Sequence, residues 1–134
     1  MGLDLGEKRI GIAVTDASET MAFPERVLQR RSARRDRQTL ALLVDELAVE
    51  RVIIGLPLSM DGDFGPNAQR TRRFGELLAH DVRVPIEYQD ERLTTVEAEE
   101  RLRDSGLAAR KRRQRIDAAA AAIILEDYLR ARRR

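Results

Sequence analysis

Met1-Gly2-Leu3-Asp4-Leu5-Gly6-Glu7-Lys8-Arg9-Ile10-Gly11-Ile12-Ala13-Val14 opens the chain and decides how the rest is read. Residues 1–5 alternate weakly, Gly6-Glu7-Lys8 supplies a turn, and residues 9–14 place Ile10, Ile12 and Val14 on one face. Two β runs separated by a glycine-containing turn predict a hairpin. Asp4 stands on the first run among apolar residues. A carboxylate in a core strand is costly unless it is paired or binds metal. Gly2 and Gly6 let other groups approach the backbone closely there. The plainer reading is a strand-end aspartate paired with an arginine; the glycines weigh toward function.

Working outward, a third strand is expected near residues 23–28, and residues 30–37 read as a basic polar connection. Leu40, Leu43, Val44 and Leu47 recur at helical spacing. Residues 51–55 are a β-branched run fit for a buried strand, stopped at Leu56-Pro57. The loop 59–66 holds Asp61-Gly62 and Gly65-Pro66, both turn signals. A helix over 67–80 carries Phe74, Leu77 and Leu78, and a strand over 84–89 ends at Asp90-Glu91-Arg92. Thr94-Thr95-Val96-Glu97 fits a capping box for a short helix ending near Gly106. Residues 110–115 read as a basic connector to a last helix over 116–130.

The order β-β-β-α-β-α-β-α-α predicts an α/β protein with a mixed five-stranded sheet, an antiparallel meander continued by parallel strands and flanked by helices. That is the order of the ribonuclease H-like fold. The length, 134 residues, fits one domain over 1–134.

Composition narrows the chemistry. With no cysteine and a single histidine, His80, the chain has no disulfides, no thiolate metal site and no cysteine nucleophile, and almost nothing for a triad. Carboxylate and arginine are plentiful, 23 Asp+Glu against 25 Lys+Arg. Residues 101–134 carry eleven Lys+Arg and four Asp+Glu, so a basic end follows an acidic body. Such an end is a footprint for a phosphate backbone, although the bias to arginine and alanine also fits a GC-rich genome. No apolar run approaches the length of a membrane span, and acids stand where a signal peptide needs cations and an apolar stretch. A soluble, cytoplasmic protein without membrane contact is expected.

Three places offer acids that share a site. Asp4 is the first. Asp90 and Glu91 end the fifth strand; adjacent strand residues face opposite sides, so one of them shares a site with Asp4, and the residues alone do not say which. Asp117 begins the last helix on the stripe of Ala121, Ile124 and Tyr128, so it faces the body. Taken alone, Asp117 reads as a helix N-terminal acid favoured by the dipole. Together, carboxylates without histidine or cysteine make a hard-oxygen site suited to magnesium or manganese (Mg2+ or Mn2+). Two such ions about 3.5–4 Å apart can activate water and stabilise the leaving oxygen of a phosphodiester.

Four segments in order resemble the YqgF/RuvX family, whose members are described as Holliday-junction resolvases and as pre-16S rRNA nucleases. They are the opening Gly2-Leu3-Asp4-Leu5-Gly6-Glu7-Lys8-Arg9, then Ile54-Gly55-Leu56-Pro57-Leu58 with Met60-Asp61-Gly62, then Asp90-Glu91-Arg92-Leu93-Thr94-Thr95, then Ile116-Asp117-Ala118-Ala119. The resemblance covers essentially the whole chain. It implies a ribonuclease H-like fold and a metal-dependent endonuclease for branched DNA or structured RNA. Asp4, Glu91 and Asp117 would then be its catalytic and metal-holding acids, with Glu91 favoured over Asp90. A resolvase cuts two symmetric strands, which favours a homodimer. RuvC resolvases place an acid on the fourth strand; here that strand ends in Gly55-Leu56-Pro57, leaving three acids rather than four.

Lys8 and Arg9 sit in the first turn, near Asp4. Arg92, Thr94 and Thr95 lie at a helix N-terminus, a natural phosphate seat, with ordinary capping as the plainer role of Thr94. Arg110, Lys111, Arg112, Arg113 and Arg115 precede Asp117 and are placed to track a backbone, or form a solvated loop. Asp16 and Asp61 are read as a strand-end cap and a turn residue, with a supporting role in the site as the alternative. A non-catalytic nucleic-acid-binding factor is the rival function; a nucleotide-binding protein of the actin and sugar-kinase class is disfavoured by length.

Overall fold

The structure, a computed structural model, describes residues 1–58, 62–91 and 109–132, the stretch 109–115 as backbone. Strand β1 (Gly2–Leu5) turns tightly into β2 (Arg9–Thr15), the Gly6 amide donating to the Arg9 carbonyl at 2.9 Å. Strand β3 (Ala22–Gln29) completes an antiparallel meander. Helix α1 (Ala33–Glu46), β4 (Val52–Leu56), α2 (Pro66–Asp81) and β5 (Ile86–Asp90) follow, and α3 (Ala109–Arg132) is the last described helix. The sheet order is β3-β2-β1-β4-β5, with β1, β4 and β5 parallel. This is the mixed five-stranded sheet expected from the sequence. Pro24 falls on the edge strand β3, where its missing amide breaks no inner ladder, and the register against β2 shifts beside it.

Two boundaries differ from expectation. The basic stretch 30–37 is not a connection throughout: Ser32 caps α1 by accepting from the Arg35 amide at 3.1 Å, and the helix runs from Ala33. Residues 110–115 are not a connector but the first turns of α3. Arginine, lysine and glutamine are good helix formers, and neither glycine nor proline interrupts 109–132, so the helix continues backward through them. The short helix expected before Gly106 lies outside the described residues.

The layers pack differently. On one face, Leu3, Ile10, Ile12, Val52 and Ile54 meet Leu40, Leu43 and Val44 of α1 and Phe74 and Leu78 of α2. On the other, Ala13 and Ile53 meet Ala121, Ile124, Leu125 and Tyr128 of α3. Small residues there let α3 sit close: a Cβ on Gly11 would collide with the Asp117 carbonyl, and one on Gly2 would lie 2.8 Å from that of Ala121. No helix among the described residues is long and apolar enough to cross a membrane.

Candidate active site

The parallel strands β1, β4 and β5 end together, the edge at which open α/β sheets bind ligands. Asp4 is paired with Gly11 across β1 and β2. Glu91 lies one residue past β5, its amide donating to the Leu56 carbonyl at 3.2 Å. Its side chain folds back over β4: a Cβ on Gly55 would sit 2.6 Å from Glu91 Oε2. Glycine at the end of β4 therefore leaves the room that the Glu91 carboxyl occupies.

Asp4 and Glu91 share a hydrogen bond between their carboxyl groups. Burial pushes both up from the usual carboxylate range, Glu91 to about 9, with the Asp4 charge and then the shared hydrogen bond adding to its shift. For Asp4 the Glu91 hydrogen bond works against burial, and the Asp117 charge works with it. Two carboxyls held together in a partly desolvated edge thus keep a proton between them at neutral pH. The pleat puts Glu91 on the α3 side of the sheet with Glu87, which bonds Tyr128; Asp90 belongs to the opposite set with Tyr88, whose hydroxyl reaches Arg72 of α2.

Asp117 comes from the α3 side, where Ala121 and Ile124 below it are fully buried. Its carboxylate does not join the pair directly. Arg9 Nε donates to Asp117 Oδ2 at 2.7 Å, an ion pair between two of the residues singled out in the sequence. Among the described residues no three acids stand together as a metal cage. The arrangement is a carboxyl pair with a third acid tethered beside it.

The donor set nonetheless fits a hard divalent cation. It is carboxylate oxygen alone, the hard donor that magnesium and manganese take.

Lys8 is exposed at the β1–β2 turn. Arg92, Thr94, Thr95 and Asp61 lie outside the described residues, as do the side chains of Arg110, Lys111, Arg112, Arg113 and Arg115, whose backbone is helical. Asp16 sits at the far end of β2 from Asp4. Its carboxylate accepts from the Thr20 amide at 2.8 Å, from Thr20 Oγ1 at 2.8 Å and from Ser18 Oγ at 2.9 Å, which holds it well below the usual carboxylate range. It closes the β2–β3 loop.

The family described as RuvX: Holliday junction resolvase matches residues 1–131. This chain belongs to the RuvX (YqgF) family. Two relatives named "Putative pre-16S rRNA nuclease" bear this out. One, from Chloroflexus aggregans, is 45% identical over 99% of this chain and 94% of its own length; another, from Anaeromyxobacter sp., is 46% identical over 96% and 94%. Among solved structures, T. thermophilus RuvC in complex with a Holliday junction substrate matches with a TM-score of 0.62, covering 98% of this chain and 93% of that one at 15% identity. That likeness shows the fold, which is ribonuclease H-like.

The sequence reading missed the glycines that shape this RuvX site. Gly11 and Gly55 interrupt β-branched runs, and a glycine inside a strand marks close approach of another backbone or ligand. Gly2 does admit a neighbour, but the neighbour is α3, and the Gly6 position is filled by the Arg9 carbonyl of its own turn.

Proposed function

We propose that the protein is a metal-dependent endonuclease that hydrolyses phosphodiester bonds in structured nucleic acid. The observation that carries this reading is the Asp4–Glu91 carboxyl pair at the open edge of a ribonuclease H-like sheet. The names of the relatives favour pre-16S rRNA as substrate, and the family description favours Holliday-junction DNA. Asp4 and Glu91 would hold Mg2+ or Mn2+, with Asp117 completing the set when it leaves Arg9. The ion would supply Lewis-acid activation of water and charge stabilisation at the leaving oxygen. Asp4 is held by its strand, Glu91 by its amide bond to Leu56 and the space over Gly55, so the two oxygens are oriented before any ligand arrives. Arg9, once released from Asp117, would bind the phosphate that enters. A homodimer would present two such edges to a symmetric substrate.

A non-catalytic nucleic-acid-binding factor is the second reading, and the Arg9–Asp117 ion pair favours it, because it neutralises one of the three acids. Cleavage of a four-way DNA junction, duplex DNA, single-stranded RNA and a pre-16S 5′ RNA by wild type and Asp4→Asn separates the two. Metal-dependent cutting that disappears in the variant and in EDTA is expected. Salt-sensitive binding by both proteins with no cutting by either would overturn the nuclease reading.

A further inference from the structure

A cavity of about 490 Å3 opens at the same end of the sheet as Asp4, on the opposite face, between the β1–β2 turn and the first turns of α1 and α2. The chain enters it one residue past Asp4, at Leu5. Its volume lies in the range of small-molecule sites, about 300–1,000 Å3. Leu5, Pro57, Phe74 and Leu77 make it apolar inside, and Leu77 is 41% exposed there although it belongs to the apolar stripe of α2. Arg30, Arg70 and Arg73 stand around this apolar wall, against a single acid, Glu7.

The three arginines are not equivalent. Arg30 is pinned: it donates to the Gly6 carbonyl at 2.9 Å and to Asp36 at 3.2 Å, and lies over the Phe74 ring at 5.5 Å. Arg70 and Arg73 are one helical turn apart on α2, and neither makes an ion pair with a described residue; Arg70 bonds the side-chain oxygen of Asn67. An apolar wall rimmed by cations is a poor seat for a bare anion, which needs donors on all sides. It is also a poor seat for duplex, whose base faces are buried in the stack. It suits a group with an apolar plane at one end and a phosphate at the other.

We propose that this cavity takes one unstacked nucleotide of the nucleic-acid strand, its base against Leu5, Pro57 and Leu77 and its phosphate between Arg70 and Arg73. The inference rests on the nuclease reading for the presence of that strand. It adds a substrate requirement: an unpaired nucleotide beside the cut, which a strand crossing the sheet edge from Asp4 would deliver to the other face.

The test is methyl NMR of the purified protein in EDTA, where nothing is cut, with uridine monophosphate, thymidine monophosphate and inorganic phosphate as probes. Saturable shifts of the Leu5 and Leu77 methyl groups are expected with either nucleotide and not with phosphate. Arg70→Gln with Arg73→Gln should weaken nucleotide binding tenfold or more at unchanged melting temperature. Leu77→Ala should weaken it severalfold, which a site for phosphate alone would not show. A single-stranded trinucleotide should compete with the mononucleotide and a duplex should not. Phosphate reproducing the shifts, the double variant binding like wild type, or a duplex competing equally would each overturn the proposal. If Asp4→Asn abolishes cleavage while these methyl groups stay silent, this inference alone fails; if they respond and neither protein cuts, the nuclease reading alone fails.

Discussion

The two faces of the sheet are built on opposite principles. Toward α1 and α2 it presents Leu3, Ile10, Ile12, Val52 and Ile54, all essentially inaccessible to solvent. Toward α3 it presents Gly2, Gly11, Ala13 and Gly55 beside Ile53, and at Gly2 and Gly11 the helix backbone itself reaches the strands. The first face gains stability by burying large side chains, roughly 1.5–3 kcal/mol for each one fully buried. The second gives up side-chain volume to bring main chain close, and at its open edge it leaves Asp4 and Glu91 side by side with Asp117 tied to Arg9 beside them. The same economy of volume that admits α3 at Gly11 admits the Glu91 carboxyl at Gly55.

The strongest challenge to this contrast is Asp4→Asn. It keeps shape and hydrogen bonding but removes a charge, so cleavage should fall about a thousandfold or more, the scale of losing a group that acts only on the transition state. The fold should survive, checked by melting. Cleavage within tenfold of wild type would mean that the α3 face is merely packed, not poised.

A methyl group added on one face should cost more than a methyl removed on the other. Gly11→Ala forces α3 off the Asp117 carbonyl and should destabilise by about 2–3 kcal/mol, at the upper end of overpacking. Ile12→Val, facing α1, should cost about 1 kcal/mol. Urea titrations of the two variants decide it; equal costs would erase the distinction between the faces.

The carboxyl pair has its own signature. Glu91 is pushed up to about 9 in the folded chain from an ordinary value of 4.5, so the folded state holds a proton that the unfolded state releases. The stability it contributes is fully present below about pH 4.5 and is lost as pH rises toward 9. In EDTA at pH 8, Glu91→Gln should therefore melt several degrees above wild type, and the gap should close toward pH 4. A gap independent of pH would show that the pair shares no proton.

The smallest effect is expected at the tethered acid. Arg9→Met removes the cation from Asp117 and should raise the calorimetric affinity for Mn2+ about threefold, the size of one screened charge at close range. Unchanged or weaker binding would make Arg9 a positioning residue that Asp117 needs.

The hairpin, the element order and the helix stripes were legible because each is a local pattern: alternation in residues 9–14, a β-branched run in 51–55, and Ala121, Ile124 and Tyr128 at helical spacing. The missed starts of α1 and α3 were local too, hidden because arginine reads as surface while it also propagates helix. The choice between Asp90 and Glu91 was not local at all. It depends on which way the pleat faces at the end of β5, and a one-residue slip would exchange them.

By itself, then, the sequence determined the kind of chemistry open to this RuvX protein. Without cysteine and with one histidine, carboxylates are the acids and ligands it has, and their places at strand ends and on the inward stripe of the last helix follow from its periodicities. Tertiary structure alone decided which oxygens meet. It set Glu91 over Gly55 and against Asp4, tied Asp117 to Arg9, and gathered Leu5, Leu77, Arg70 and Arg73 around one cavity. Periodicity reports which face of its own element a residue occupies, whereas contacts between elements depend on register and on how closely the layers approach.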